Sequence, residues 1–274
     1  MTNLQLRALS GAAYVAVLLG ALWWGYDSTA LLFFLLGMLG LNEYARLVEG
    51  LDGISLPRLP LLGLGAVGLG LGGYAFRGMN YLLVMNELFM LYLQLVFLAS
   101  VVYVVFSRRE RSFVQVGVSL LGLLYVLLPC VLAMSLARFN TGYLAMVLVG
   151  VWSNDVGAYL VGSAVGRHPM FPSVSPKKSW EGFAGGVVAT VLVSVLLGPW
   201  LARRYELHSW ALFGVLVSLA AVVGDLFESR LKRTVGVKDS GSFLPGHGGV
   251  LDRVDAMLLA LPVAYILVLS KLLL

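Results

Sequence analysis

The sequence is poor in charged residues and nearly free of cysteine. Only 12% of its 274 residues are charged and 59% are hydrophobic, whereas about a quarter of the residues in a soluble domain are charged. A soluble fold of this length could not bury so much apolar surface, so the composition indicates an integral membrane protein. The single cysteine, Cys130, lies in an apolar run. It cannot form an internal disulfide, and we expect it to be a buried hydrophobic residue.

Several catalytic and binding motifs are also absent from the sequence. There is no G-x-x-x-x-G-K-[ST] loop, so the protein is not an ordinary P-loop nucleoside triphosphatase. There is no Cys/His spacing typical of zinc, and no Ser-His-Asp set or loop cysteine for nucleophilic catalysis. The net charge of +5 comes without a basic patch interleaved with aromatic residues. In a membrane protein this charge indicates positive cytoplasmic loops and argues against nucleic acid as a partner.

Long apolar runs dominate the rest of the sequence. A helix that crosses a bilayer needs about 20 predominantly apolar residues. The sequence therefore predicts an all-α integral membrane protein with about nine transmembrane helices. The nine runs cover residues 8–25, 29–48, 60–76, 81–106, 114–136, 143–163, 182–202, 209–229 and 251–273.

The positive charges predict the orientation of these helices. If nine helices alternate across the membrane, most of the 19 lysines and arginines lie on the side that holds the N-terminus. The positive-inside rule makes that side cytoplasmic. We therefore expect a cytoplasmic N-terminus, a C-terminus outside, and a multi-pass protein of the inner (plasma) membrane whose active site faces the cytoplasm.

Polar residues are concentrated in the second half of the chain. Residues 1–140 are interpreted as an N-terminal region of about five spans, and residues 141–274 as a C-terminal catalytic region. The cytoplasmic loops of the catalytic region are predicted at residues 164–181 and 230–250, next to the polar clusters. This division places the polar clusters that are expected to carry the catalytic residues in the second region.

One acidic residue in the first region, Glu43, interrupts an apolar run. A carboxylate at membrane depth is costly and usually faces the interior of a helix bundle. A local ion pair with Arg46 is one explanation, and a place in the lining of a functional cavity is the alternative.

Two polar clusters flank the loop at residues 164–181. Asn154 and Asp155 lie within the sixth apolar run, where a carboxylate needs a partner, a cation or a watery cavity. Lys177 and Lys178 stand at the start of the seventh run. A helix N-terminus attracts phosphate, and the lysines would add charge for a triphosphate. Simple positive-inside anchoring by the two lysines is the alternative.

A third polar cluster extends from Gly224 to Asp255. Asp225 lies near the end of the eighth run, and Asp252 and Asp255 open the ninth, three residues apart and therefore on one helix face. Carboxylate oxygens suit Mg²⁺, which shares its ligand shell with substrate phosphates. With the nearby basic residues, the cluster predicts a site for phosphoryl-type transfer, and a structural ion-pair loop is the alternative.

The stretch from Ser229 to Asp255 resembles the signature of the phosphatidate cytidylyltransferase family, also called CDP-diacylglycerol synthases. The matching residues are Ser229, Lys232, Arg233, Lys238, Asp239, His247, Gly248, Gly249, Asp252, Arg253 and Asp255. Further residues upstream are similar to the family, namely Asn154, Asp155, Ala158, Tyr159, Gly166, Arg167, Ser175, Pro176, Lys177 and Lys178. Ser179 stands where a threonine is common. The resemblance covers about residues 150–260, and the N-terminal half matches only in hydropathy.

The resemblance implies a magnesium-dependent reaction in phospholipid biosynthesis. The phosphate of phosphatidic acid attacks the α-phosphorus of CTP, which yields CDP-diacylglycerol and diphosphate. It also implies a helix bundle in the lipid bilayer with a cavity open to the cytoplasm. A homodimer is the expected assembly. Whether a second cation assists Mg²⁺ is left open.

The resemblance also implies roles for individual residues. The metal ligands would be Asp225, Asp252 and Asp255. The catalytic residues would be Asp225, Lys232, Arg233, His247, Asp252 and Arg253. The substrate-binding residues would be Asn154, Asp155, Arg167, Ser175, Lys177, Lys178, Ser229, Lys238, Asp239, Gly248 and Gly249. A phosphate monoester needs no strong base, so His247 is expected to hydrogen-bond a phosphate or to order its loop.

Three other functions were compared with this hypothesis. A CTP-dependent polyprenol kinase would use similar groups but would transfer the γ-phosphoryl group. A transporter could use Asp155 and Asp225 as ion sites, but the sequence shows no internal repeat of the kind common in transporters. A non-catalytic scaffold would leave the acidic cluster unexplained.

Overall fold

The computed structural model describes residues 3–51, 54–75, 82–203, 206–241 and 248–270. Helices make up nearly all of this part of the chain, with one π-helical segment at Leu123–Leu127. The α-helices are α1 (Asn3–Trp24), α2 (Tyr26–Glu49), α3 (Arg58–Ala75), α4 (Leu82–Phe106), α5 (Ser112–Gly122), α6 (Leu128–Phe139), α7 (Thr141–Val165), α8 (Trp180–Ala202), α9 (Leu207–Thr234) and α10 (Leu251–Leu269).

Within the described residues, each of the nine apolar runs falls largely on helices. The fifth run is a continuous helical stretch, Ser112–Phe139, in which the π-helical segment joins α5 to α6. Within the described residues, six helical stretches are long and apolar enough to cross a membrane, and Leu9–Trp24 is a shorter apolar helix. The fold is therefore that of a multi-pass membrane protein. The count of nine spans and the orientation of the termini stay predictions.

A short β-hairpin interrupts the helical fold within the loop at residues 164–181. Strand β1 (Pro169–Phe171) pairs antiparallel with β2 (Ser175–Ser179). The sequence analysis predicted only helices and loops. The second strand carries the Ser-Pro-Lys-Lys-Ser segment, so the hairpin sets the direction in which that segment enters α8.

The chain divides into two compact units. The first consists of Met1–Arg138 and Thr234–Asp252, and the second consists of Phe139–Arg233 and Arg253–Leu274. The segment Thr234–Asp252 packs with the first unit. The predicted regions, residues 1–140 and 141–274, stay a prediction.

The core of the first unit is built around α2. Phe33, Leu41 and Tyr44 are fully or almost fully buried. The Tyr44 hydroxyl donates a hydrogen bond of 2.9 Å to the carbonyl oxygen of Val118, and the tyrosine ring lies where a side chain on Gly122 would be. Glycine at position 122 thus lets α5 approach α2 closely enough to satisfy the buried hydroxyl.

The second unit depends on an unusually close approach of α7 and α8. A Cβ atom added to Gly157 would meet Ala189 and the carbonyl oxygen of Gly185, and one added to Gly162 would touch the Cα atom of Gly182. Small residues at helix–helix interfaces allow such backbone contact in a membrane, where apolar burial gives no driving force between helices. This contact fixes the ends of α7 and α8 that carry the polar residues of the unit.

The start of α7 is held by a side-chain cap. The Asn140 side chain accepts a hydrogen bond of 2.8 Å from the backbone N–H of Gly142 and donates one of 3.0 Å to the carbonyl oxygen of Ala202 at the end of α8. One amide side chain therefore caps α7 and ties it to the neighbouring helix.

Substitution of Gly157 by alanine tests the close contact between α7 and α8. The added methyl group overlaps Ala189 and the Gly185 backbone, and overpacking of this kind costs about 1–3 kcal/mol. We expect a lower melting temperature of the purified protein in detergent. Gly63→Ala in α3 is the matched control, because a Cβ atom there meets nothing within 4 Å. An equal melting temperature for the Gly157 variant and the control would contradict the packing described.

Candidate active site

A cavity of about 220 Å³, lined by charged and apolar side chains, lies in the second unit. It is formed by α7, the β-hairpin, the beginning of α8 and the last part of α9. The lining residues are Asn154, Asp155, Ala158, Tyr159, Met170, Lys177, Lys178, Ser179, Gly182, Phe183, Ala221, Val222 and Asp225. Five of the predicted site residues thus meet in one cavity, namely Asn154, Asp155, Lys177, Lys178 and Asp225.

Asn154 and Asp155 form the α7 wall of the cavity. Asn154 is buried, with 3% of its surface exposed, and its Oδ1 atom accepts a hydrogen bond of 2.6 Å from the hydroxyl of Ser218 on α9. The buried amide therefore links α7 to α9 at the site.

Lys178 and Asp225 bring opposite charges together in the same cavity. The Lys178 ammonium group is ion-paired with Oδ2 of Asp225. The Oδ1 atom of Asp225 accepts a hydrogen bond of 3.2 Å from the hydroxyl of Ser229, one turn further along α9. Ser229 was predicted to bind substrate, and the structure places it beside the carboxylate, where it orients Asp225.

The N-terminus of α8 is directed at the cavity by a cap and a short strand. The side chain of Ser179 accepts a hydrogen bond of 3.1 Å from the backbone N–H of Gly182, as a helix N-cap does, and both residues line the cavity. The dipole of α8 favours a negatively charged ligand at this end of the helix. With Lys177 and Lys178, this helix end makes one side of the cavity electropositive.

Glu181 connects the β-hairpin to the beginning of α8. Its Oε2 atom accepts hydrogen bonds from the backbone N–H groups of Arg167 and His168, at 3.1 and 3.2 Å. Its Oε1 atom contacts Nδ1 of His168. One carboxylate therefore holds the chain where it leaves α7 and enters the hairpin, and it fixes the backbone of Arg167.

A second charged cluster is buried between α9 and α10. Lys232 donates a hydrogen bond of 2.7 Å to Oε2 of Glu228, and the carboxyl group of Asp255 lies close to that of Glu228. Glu228 is fully buried and Lys232 is 8% exposed. Lys232 was predicted to meet a phosphate, but its ammonium group here compensates a buried carboxylate.

The carboxylates of the second unit fit a magnesium ion in number and chemistry. Within the described residues, no group of three or more His, Cys, Asp or Glu side chains is arranged to hold a metal ion. Mg²⁺ in nucleotide sites is usually bound by one or two carboxylates, with phosphates and waters completing the shell. Asp155 and Asp225 line the same cavity and satisfy that requirement. The three-ligand set of Asp225, Asp252 and Asp255 stays a prediction.

Asp252 belongs to a network in the first unit. Its Oδ2 atom accepts hydrogen bonds from the backbone N–H groups of Ser240 and Gly249, at 2.9 and 2.8 Å, and lies 3.0 Å from the Ser240 hydroxyl. Glu43 accepts hydrogen bonds from the same segment, at the backbone N–H groups of Val250 and Leu251. Asp252 thus closes the turn that precedes α10.

The other predicted site residues differ in their exposure and backbone conformation. Ser175 begins β2 and is half-buried, Gly248 has a φ of +84°, and Gly249 is buried. Five charged residues are exposed: Arg167, Arg233, Lys238, Asp239 and Arg253. His247 lies outside the described residues, so its expected role stays a prediction.

The sequence analysis missed several residues that shape these sites. Ser218, Ser240 and Glu181 carry no signal of their own, since a serine or a glutamate near a loop is common in any protein. Glu228 was recognised as an acidic residue of the polar cluster from Gly224 to Asp255, but its ion pair with Lys232, four residues later, was not predicted. The interruption of an apolar run by Glu43 was recognised, but its carboxylate bonds to a distant segment and not to Arg46.

The apolar helices and the charged residues of the cavity together define a multi-pass membrane protein with a polar site. This chain belongs to the cytidylyltransferase family, whose sequence model matches residues 5–270. The match confirms the resemblance read from the signature residues and extends it to the N-terminal helices, where the sequence analysis found only similar hydropathy.

Several curated relatives of this chain are named phosphatidate cytidylyltransferase. A phosphatidate cytidylyltransferase of Mycobacterium bovis is 44% identical over 134 residues, which are 46% of this chain and 41% of that protein. One of Staphylococcus aureus (strain COL) is 36% identical over 171 residues, 62% of this chain and 65% of the relative. One of Staphylococcus epidermidis is 34% identical over 168 residues, with 61% and 65% covered. The matched region therefore spans less than two thirds of the length of each relative.

Replacement of Glu181 by glutamine tests how the hairpin is held. Glutamine keeps the shape of the side chain, but its amide group cannot replace the two-oxygen acceptor shared by two backbone N–H groups and His168. We expect faster amide hydrogen exchange in a peptide that covers residues 165–173. Glu206→Gln, ahead of α9, is the matched control. Unchanged exchange in the Glu181 variant would show that the carboxylate does not hold this segment.

Proposed function

We propose that this protein is a phosphatidate cytidylyltransferase, which transfers CMP from CTP to phosphatidic acid and releases diphosphate. The observation that carries the proposal is the cavity of the second unit, where a capped helix N-terminus and two lysines face two carboxylates. A triphosphate needs positive charge along its length, and carboxylates can hold the cation that accompanies it. Membership of the cytidylyltransferase family supports the same conclusion.

The reaction makes one bond and breaks one bond at the same phosphorus atom. An oxygen of the phosphatidic acid phosphate bonds to the α-phosphorus of CTP, and the bond from that phosphorus to the oxygen bridging the β-phosphorus breaks. Diphosphate leaves with the bonding electrons. The attacking phosphate monoester is already anionic at neutral pH, so the protein has to position two anions and screen their repulsion.

The residues of the cavity can perform that positioning. Lys177, Lys178 and the first turn of α8 would bind phosphate groups of the substrates. Lys178 is ion-paired with Asp225, and we propose that its ammonium group moves to a phosphate oxygen when substrate binds. Ser229 would then keep Asp225 oriented through its hydroxyl.

Mg²⁺ is proposed as the cofactor, with Asp155 and Asp225 as the ligands in this cavity. When bound, it would neutralise charge on the CTP phosphates. Asp252 and Asp255 stay predicted ligands from the resemblance, and a second cation stays an open prediction.

The two proposed substrates have to reach the site from different phases, one from the bilayer and the other from water. Exposed apolar side chains accompany the polar residues, namely Val156 and Tyr159 on α7 and Trp180 at the start of α8. We propose that these side chains contact lipid, so that phosphatidic acid reaches the cavity from the bilayer and CTP reaches it from water. The proposed location is the inner membrane with the cavity on the cytoplasmic side, and a homodimer is the proposed assembly.

The decisive experiment follows two labels on CTP. Purified protein is incubated with phosphatidic acid, Mg²⁺ and CTP labelled at either the α- or the γ-phosphate. We expect the α-label in lipid and the γ-label in diphosphate. Asp225→Asn should lower the rate at least about 100-fold, because one charged partner of the phosphates or of the cation is lost. Glu110→Gln, in the exposed turn before α5, is the control and should remain within about twofold of the unmodified protein.

Other distributions of label would overturn the proposal. The γ-label in lipid would identify a kinase. No label in lipid, from protein that is folded and monodisperse, would leave the transporter hypothesis as the one to pursue.

A further inference from the structure

Glu43 lies in the interior of the first unit, close to the end of α2. The residue is 6% exposed. Its Oε1 atom accepts a hydrogen bond of 3.0 Å from the backbone N–H of Val250, and its Oε2 atom accepts one of 2.8 Å from the backbone N–H of Leu251. Leu251 is the first residue of α10 and Val250 directly precedes it, so a side chain from α2 caps a helix more than 200 residues later in the chain.

A second carboxylate converges on the same segment through Ser240. The Ser240 hydroxyl lies 3.1 Å from Oε2 of Glu43 and 3.0 Å from Oδ2 of Asp252. A hydroxyl has one proton, so it can donate to one of the two carboxylates at a time. Asp252 also accepts from the backbone N–H groups of Ser240 and Gly249. Two acids and one serine therefore fix both ends of the chain between positions 240 and 252.

The glycines of the segment leave room for these carboxylates. A Cβ atom on Gly241 or Gly249 would collide with the carboxyl group of Glu43, and one on Gly248 would meet the carboxyl group of Asp252. Gly248 also has a φ of +84°, which L side chains rarely adopt. The adjacent glycines of the signature are thus required by the contact with Glu43 and Asp252 as well as by the backbone turn.

We propose that Glu43 is a positioning residue for the signature segment 238–252. It acts through Ser240, Gly249 and the first turn of α10 and need not touch either substrate. The segment contains Lys238, Asp239 and Asp252, which the family resemblance assigns to the site. This inference rests on the proposed function for its effect on catalysis, whereas its effect on the order of the segment can be measured without it.

The chemistry requires a carboxylate at position 43. The group meets three donors and offers two oxygens that only accept. Glutamine has the same shape, but it offers one accepting oxygen and turns an NH₂ group towards backbone N–H donors, which leaves a buried donor unsatisfied. Aspartate keeps both accepting oxygens and is one methylene shorter. If Glu43 acts by hydrogen bonding, the Glu43→Asp variant should be more active than the Glu43→Gln variant. If Glu43 only fills space, the order of activity should be reversed.

The test uses full-length protein in detergent, with Glu43→Gln, Glu43→Asp and the control Glu49→Gln. Glu49 lies on the same helix and pairs with Arg58, outside the network. We expect Glu43→Gln to lower kcat/KM for CMP transfer at least about 10-fold and to speed hydrogen exchange in a peptide covering residues 248–256. Glu43→Asp should retain more activity than Glu43→Gln, and Glu49→Gln should stay within about twofold of the unmodified protein.

Ser240→Ala keeps the proposal testable if Glu43→Gln does not fold. It removes the shared hydroxyl and keeps the two backbone contacts of Glu43, so we expect a smaller loss of activity and faster exchange in the same peptide. Activity in the order glutamine above aspartate, or unchanged exchange in both Glu43→Gln and Ser240→Ala, would overturn the proposal. An unmodified protein that transfers no CMP would overturn the proposed function alone, because the exchange measurement still decides the role of Glu43.

Discussion

Charged groups within apolar helices must find partners, and this constraint organises the polar parts of the structure. A lone charge at membrane depth costs several kcal/mol, and backbone groups there need hydrogen bonds as well. The structure meets the constraint in three ways. Lys178 pairs with Asp225 in the cavity, Lys232 compensates Glu228 in the interior, and Glu43 takes its donors from the start of a helix. Each solution brings segments together that hydrophobic packing alone would leave in many arrangements.

Small residues at the helix contacts allow polar groups on different helices to reach each other. The side chain of Thr190 on α8 is short, so α8 must lie close to α7 before its hydroxyl can hydrogen-bond the carbonyl oxygen of Gly150. The glycines between α7 and α8 allow that approach, and Gly122 does the same for the hydroxyl of Tyr44. Apolar packing and polar pairing are therefore coupled, because a methyl group added at a contact glycine would separate the hydrogen-bonding partners.

Much of the fold could be predicted from hydropathy, since long apolar runs have few alternatives to helices in a membrane. The hairpin could not, because the segment Ser175–Ser179 contains a proline and two lysines and has little intrinsic preference for a strand. For the site, the signature residues identified the family, and the polar clusters of the second half predicted five residues of one cavity. The pairing of Lys178 with Asp225 could not be predicted, because no sequence pattern records which distant charges meet. The network of Glu43 escaped prediction for the same reason, and the local partner Arg46 was the simpler interpretation.

The two ends of the Glu43 network are made at very different times during synthesis. The partners of its carboxylate are 197 and 208 residues away, so α2 leaves the ribosome long before α10 exists. A nascent chain inserted helix by helix would carry this buried acid without its final donors until the start of α10 has been made. The signature segment can therefore become ordered only after α2 to α9 have been synthesised.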